Sequence, residues 1–175
     1  MRATVILIFI LFLAFSLVAQ SKEPRLIDEF AVVPCGDMMA RLDSLWAEWR
    51  NDKAERIVVV FYGRRFARTV ERRNGREVLV LLPTHPEDGL NWAKGIPKYL
   101  IARHRSAWDE EVSVLEQQIQ LIDGGFREDL SAELWLVPPG AADPSPTPTI
   151  KRSDIKFGAK RPRHVPDYSN CYGGY

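Results

Sequence analysis

The sequence is poor in the residues that make metal and thiol chemistry. It holds two cysteines, Cys35 and Cys171, and three histidines, His85, His104 and His164. No histidine stands at a spacing that would complete a zinc site with two thiolates. His85 lies between Thr84 and Pro86 without a Ser or Cys in a nucleophile motif, and neither a glycine-rich phosphate loop nor a zinc-protease helix motif occurs. No repeat of solenoid period is present. Charge of one sign is lacking too: 24 Lys and Arg oppose 23 Asp and Glu, for a formal net charge of +1. Nucleic-acid binders carry markedly basic domains, so a nucleic-acid partner is not expected. Neither a metal nor a cofactor is expected. What remains, with 46% hydrophobic and 27% charged residues over 175 residues, is the composition of one globular domain with extensions.

One long apolar run is present, and it lies at the N-terminus. After Arg2, the stretch Val5 to Ala19 is apolar except for Ser16. As a helix it would rise about 22 Å, short of the ~30 Å hydrocarbon core. Residues 1–20 are therefore expected to be a secretory signal, with cleavage after Ala19. Leu17 sits where a small residue is preferred, which keeps an uncleaved N-terminal anchor as the alternative. Export would place Cys35 and Cys171 in an oxidising compartment, where pairing is favoured. A bridge between them would close most of the chain into one loop, contributing at most about 5 kcal/mol. Two free thiols are the alternative.

Residues 21–140 read as a small layered α/β domain, a mixed sheet with helices packed on it; α+β is the alternative class. Leu26 to Val33 is expected as a first strand ended by Pro34. Asp37 to Arg50 is the clearest helix, with Asp37 as N-cap and Met38, Leu42, Leu45, Trp46 and Trp49 on one stripe. Ile57 to Tyr62 is an unbroken apolar run, as in strands covered on both faces, and Gly63 stops it. Asn74-Gly75 signals a hairpin between the stretches around Val70 and Val78 to Leu82. Glu87 to Arg105 reads as helix capped by Asp88 and broken near Gly95, because Pro97 is tolerated only in a first turn. Ser106 to Glu116 is acidic, with room for a short helical turn. Gln118 to Asp123 and Ala132 to Val137 read as strands, the last alternating so as to bury one face well. Residues 141–150, where Pro144, Pro146 and Pro148 alternate with Ser and Thr, are expected as an extended linker. Residues 151–175 form a basic tail ending in Tyr and Gly.

Three polar groups invite functional readings. Arg64, Arg65, Arg68, Arg72, Arg73 and Arg76 make a basic patch along the hairpin, either a solvated face or an anion-binding surface. Lys151 to Arg163 holds six basic side chains, among them Lys151, Arg152, Lys160, Arg161 and Arg163, against one acid, a local charge of +5. Asp123, Arg127, Glu128 and Asp129 crowd a glycine turn near strand ends, where α/β sheets often bind ligands. They read either as an acid–base pair for a hydrolase or transferase, with His85 as a further candidate, or as a charged turn with Arg127 paired locally.

Asp123-Gly124-Gly125-Phe126-Arg127-Glu128, Glu133-Leu134-Trp135-Leu136-Val137-Pro138-Pro139-Gly140 and the Thr-Pro linker resemble a group of exported bacterial proteins. Cys35-Gly36-Asp37, Arg41-Leu42-Asp43 and the strand end Val60 to Gly63 fit that group, which has no assigned activity to carry over. In topology the chain resembles the OmpA-like peptidoglycan-associated domain, with Val58 to Gly63 matching its central strand and Tyr99-Leu100 the end of its second helix. That family reads peptidoglycan with an aspartate soon after the glycine. Arg64-Arg65 stand there instead, so no binding residue is carried over.

The expected function is that of an exported cell-envelope or periplasmic module, binding or scaffolding rather than catalysing. Its partner would be an anionic envelope component, a lipid headgroup or wall polymer, or another envelope protein. The membrane would be met only through an uncleaved signal or a peripheral contact of the tail. The alternative is a small periplasmic hydrolase or transferase using Asp123 and Glu128.

Overall fold

The computed structural model describes residues 23–52, 54, 56–104 and 116–159. Within them the run around Ile57 becomes β2 (Arg56–Arg64), the strand about which the domain is organised. β1 (Arg25–Ala31) precedes it, followed by α1 (Cys35–Asp52). After β2 come the hairpin β3 (Phe66–Arg73) and β4 (Arg76–Pro83), then α2 (Asp88–Ala93) and α3 (Gly95–His104). β5 (Ile119–Arg127) and β6 (Ser131–Val137) complete the sheet. Strand order is β1-β6-β2-β5, with β2 and β5 parallel and the other pairs antiparallel. This is the mixed, helix-covered sheet expected from the sequence.

Alternation along β2 divides two cores. Ile57, Val59 and Phe61 join Ala132, Leu134 and Leu136 of β6 on one face. Met38, Leu42, Leu45 and Trp46 of α1 cover them, with Trp92 of α2 and Ile96, Tyr99 and Leu100 of α3. The α1 stripe thus packs inward as its spacing predicts, each aliphatic contributing roughly 1.5–3 kcal/mol. Two capping expectations fail. α1 begins at Cys35, so Asp37 lies inside the first turn, where its charge still suits the helix dipole. The residue before α2 is Glu87, and Asp88 is buried in a polar contact instead of serving as cap. The break at Lys94 and Gly95 stands as expected, with Pro97 in the first turn of α3.

The second face is covered as well, contrary to the expectation that β6 buries only one side. Val58, Val60, Tyr62 and Val137 are buried there with Ala141, and Trp135 and Ile122 pack against them. The cover comes from the chain after β6. The Ala141 amide turns back to the Pro138 carbonyl, Thr149 and Ile150 donate to the Phe126 carbonyl, and the Gly158 amide donates to Thr84. Arg56 reaches Asp143 and the Ala141 carbonyl. The proline-alternating stretch expected as a spacer is extended, but it lies against the sheet. Prolines suit this role because such a strap needs few of its own backbone donors.

The hairpin stands apart as a two-stranded sheet. Arg73 faces Arg76 across a two-residue turn in which Asn74 (φ 52) and Gly75 (φ 76) are both left-handed, the geometry the Asn-Gly pair signals. Among the described residues no helix is long and apolar enough to cross a membrane. Residues 1–22, 105–115 and 160–175 lie outside the described residues, and with them the expected signal, most of the acidic stretch, His164, Lys160, Arg161, Arg163 and Cys171.

Candidate functional site

The two sequence signatures meet on the second face of the sheet. β5 carries one extra residue opposite the Phe61–Gly63 stretch of β2, a bulge built from the glycines of the Asp123 to Glu128 signature. Gly124 leaves no room for a side chain because the Tyr62 ring occupies the space a Cβ would need, and Gly125 is left-handed with φ 86. Asp123 accepts the Gly125 amide at 2.9 Å and so fixes the turn. Beyond the bulge Arg127 is directed over the sheet.

Glu133, from the second signature, sits in β6 with only 4% of its surface exposed. Directly opposite it in β1 is Glu29. Two carboxylates facing each other across strands repel, and Arg127 resolves this by donating one terminal nitrogen to each. Glu133 Oε1 also accepts from the Tyr62 hydroxyl at 2.9 Å and from Thr147 Oγ1 at 3.3 Å, while Oε2 accepts from Trp135 Nε1 at 3.0 Å. The Thr147 amide in turn donates to the Tyr62 oxygen at 3.0 Å. Burial opposes the Arg127 charge, but Tyr62, Glu133 and Glu29 more than offset it, so its pKa is raised above the ordinary arginine value. Each polar group is answered by another, as a buried network requires. Sequence reasoning missed Glu29, Tyr62, Glu133 and Thr147. The available signal was Trp135 and Val137, large apolar residues in phase with Glu133 on a face read as poorly covered.

The expected binding arginines are distributed among acids rather than presented together. Arg64 is buried, donating to Asp88 Oδ2 at 3.1 Å, an oxygen that also accepts from Thr84 Oγ1 at 3.1 Å. Arg65 pairs with Glu128 at 3.3 Å and lies over the Phe66 ring. Arg68 pairs with Asp129 at 3.1 Å, and Arg73 with Glu71 at 2.8 Å. Asp123 is thus separated in its contacts from Glu128 and Asp129, and His85 Nδ1 accepts the Glu87 amide. What the structure does bring together is Asp123 with Lys151 and Arg152, around an open cleft of about 690 Å³ that Phe126 and Pro148 also line. Arg152 is held there by two rings, its guanidinium carbon 5.5 Å from the centre of Phe126 and 5.0 Å from that of Phe157.

No group of three or more His, Cys, Asp or Glu among the described residues is arranged to hold a metal ion. Comparison of the chain with protein-family models, with curated proteins and with solved structures finds no match.

Proposed function

We propose that this chain is an exported module of the cell envelope that works by binding an anionic envelope component, not by catalysis. The observation that carries the reading is the engagement of the acids. A hydrolase or transferase needs two carboxylates converging on one space with a proton to exchange. Here Asp123 is occupied by its own turn, Glu128 by Arg65, Asp129 by Arg68, and Glu133 by four donors. The apolar run Val5 to Ala19 behind Arg2 supports export. The order strand, helix, strand, hairpin, two helices, two strands is in keeping with the expected likeness to the OmpA-like domain, with the β3–β4 hairpin added and without that family's ligand-reading aspartate.

The test is chemical crosslinking of the chain in its native envelope followed by affinity recovery. The same envelope component should be recovered repeatedly, in proportion to the chain and sensitive to salt. Recovery of the chain uncrosslinked, at the abundance of a free soluble protein, would contradict the reading.

A further inference from the structure

Charge of both signs is left unanswered around the cleft between the β5 bulge and the strap. Asp123, Lys151 and Arg152 all line it. Among the described residues Lys151 and Arg152 have no acid partner, Asp123 has no cationic one, and the three do not pair with one another. Asp123 engages only Oδ1, with the Gly125 amide, and a carboxylate has a second oxygen to offer. Asp154, the acid nearest to Arg152 in sequence, accepts from the Ser153 hydroxyl instead. Elsewhere in the domain Arg41, Arg56, Arg64, Arg65, Arg68 and Arg127 each hold a carboxylate, so folding does not account for the cleft's open charges.

These groups are also held in place. The bulge and its Asp123–Gly125 hydrogen bond fix the carboxylate. On the strap, the Thr149 and Ile150 amides both donate to the Phe126 carbonyl at 3.1 Å, the Asp154 amide donates to the Lys151 carbonyl at 2.9 Å, and the Gly158 amide to the Thr84 carbonyl at 2.8 Å. Lys151 and Arg152 therefore ride on a segment tied down on either side of them. The Arg152 guanidinium lies against two rings that are themselves 5.5 Å apart, and its N–H donors are unengaged among the described residues. Groups fixed before a ligand arrives cost it less to bind.

The cleft, at about 690 Å³, has the size of sites that hold small ligands. Phe126, Pro148 and Ile150 give it apolar walls. The planar fork of an arginine suits a carboxylate, a neighbouring lysine adds a second cation, and an aspartate oxygen suits an ammonium. A single exposed ion pair holds a ligand only weakly. The arrangement thus selects a molecule that carries both charges and shows apolar surface between them. A short unblocked peptide with aliphatic side chains has this chemistry, with a carboxylate at one end and an ammonium at the other.

We propose that the cleft between the β5 bulge and the strap binds a short unblocked peptide, with its terminal carboxylate on Arg152 and Lys151 and its terminal ammonium on Asp123. This goes beyond the envelope reading above and does not rest on it.

The test is calorimetric titration of the full chain, at neutral pH and low salt, with dialanine, trialanine and tetraalanine, each also in N-acetylated and in C-amidated form. At least one free peptide should bind with one-to-one stoichiometry, and blocking either end should weaken it about tenfold or more. Arg152→Gln should remove the preference for the free over the amidated peptide. Asp123→Asn should remove the preference for the free over the acetylated peptide, while its amide oxygen still accepts from Gly125. Each variant should keep the other preference, which shows that the cleft is still formed. The blocked peptides test the parent chain itself, so the outcome does not depend on the variants folding. No binding by any free peptide at millimolar concentration would overturn the proposal. So would equal binding of free and blocked peptides, or tighter binding of glycerophosphoethanolamine, which has an ammonium and a phosphate but no aliphatic side chain. If crosslinking in the envelope succeeds while no peptide binds, the peptide proposal fails and the envelope reading survives.

Discussion

The Arg127 guanidinium carbon lies 3.6 Å from the centre of the Tyr62 ring, close enough for a full cation–π contact. The same arginine holds Glu29 and Glu133, and Tyr62 holds Thr147. One stacked pair thus joins the two edges of the sheet, β1 and β5, to its centre and to the chain that crosses over it.

Arg127→Ala should cost about 3–5 kcal/mol, because it leaves Glu133 buried and charged opposite Glu29. Tyr62→Phe should cost less, about 1–3 kcal/mol, since it removes a hydroxyl from a network that keeps its charge pairing. Glu29→Gln added to Arg127→Ala should recover part of the loss by removing one of the facing acids. Urea unfolding of the four chains checks the order; equal stability of Arg127→Ala and the parent would place the cluster outside the energetics of folding.

The strap has its own test. A chain ending at Gly140 loses Asp143, Thr147 and Ile150, uncovers the Tyr62 and Val137 face, and leaves Glu133 and Arg127 short of partners. It should unfold well below a chain ending at Ala159, with both compared under reducing conditions. Truncation at Gly140 therefore disturbs the domain and is no clean probe of the basic tail. Thermal unfolding of the two chains decides; a Gly140 chain as stable as the Ala159 chain would make the strap incidental.

How much of this was legible in the sequence follows from the range of the interactions. α1, β2 and the Asn74-Gly75 turn are set by local spacing and backbone chemistry, and they appear where the spacing puts them. The strap escaped because its partners are remote: Thr147 meets Tyr62, and Thr149 meets Phe126. Proline alternation says that the segment is extended, not what lies beside it. The contacts of the acid cluster are not legible for a related reason. Asp123, Glu128 and Asp129 are neighbours in sequence, yet the bulge and the following turn send them to different partners. Asp88 was read as a cap because helix starts are local, while its salt bridge to Arg64 spans two elements.

Alkaline pH provides a further check. Burial, reinforced by the hydrogen bond to Asp43 at 3.0 Å and by the charge of Asp43, pushes the Tyr99 hydroxyl up to about 12 from an ordinary value of 10.0. A raised value means that the folded state keeps the proton longer than the unfolded chain does. The stabilisation is then complete below pH 10 and is lost as pH rises toward about 12. Tyr99→Phe should flatten the fall in stability over that window while lowering stability at neutral pH. Unfolding free energies across the window test this, and an unchanged slope would contradict it.

Cys35 lies at the start of α1, and Cys171 lies beyond the described residues. Their bridge is expected under export. Peptide mapping without reductant should give one linked pair, and protein from the native host should contain no alkylatable thiol. Two alkylated cysteines in that protein would refute it.

Fractionation of the native host with N-terminal peptide mapping decides whether the chain is an exported module at work in the envelope. The chain should pellet with the envelope, carry a new N-terminus between Leu17 and Ser21, and be released by high salt. A chain with Met1 intact in the soluble cytosolic fraction would contradict it.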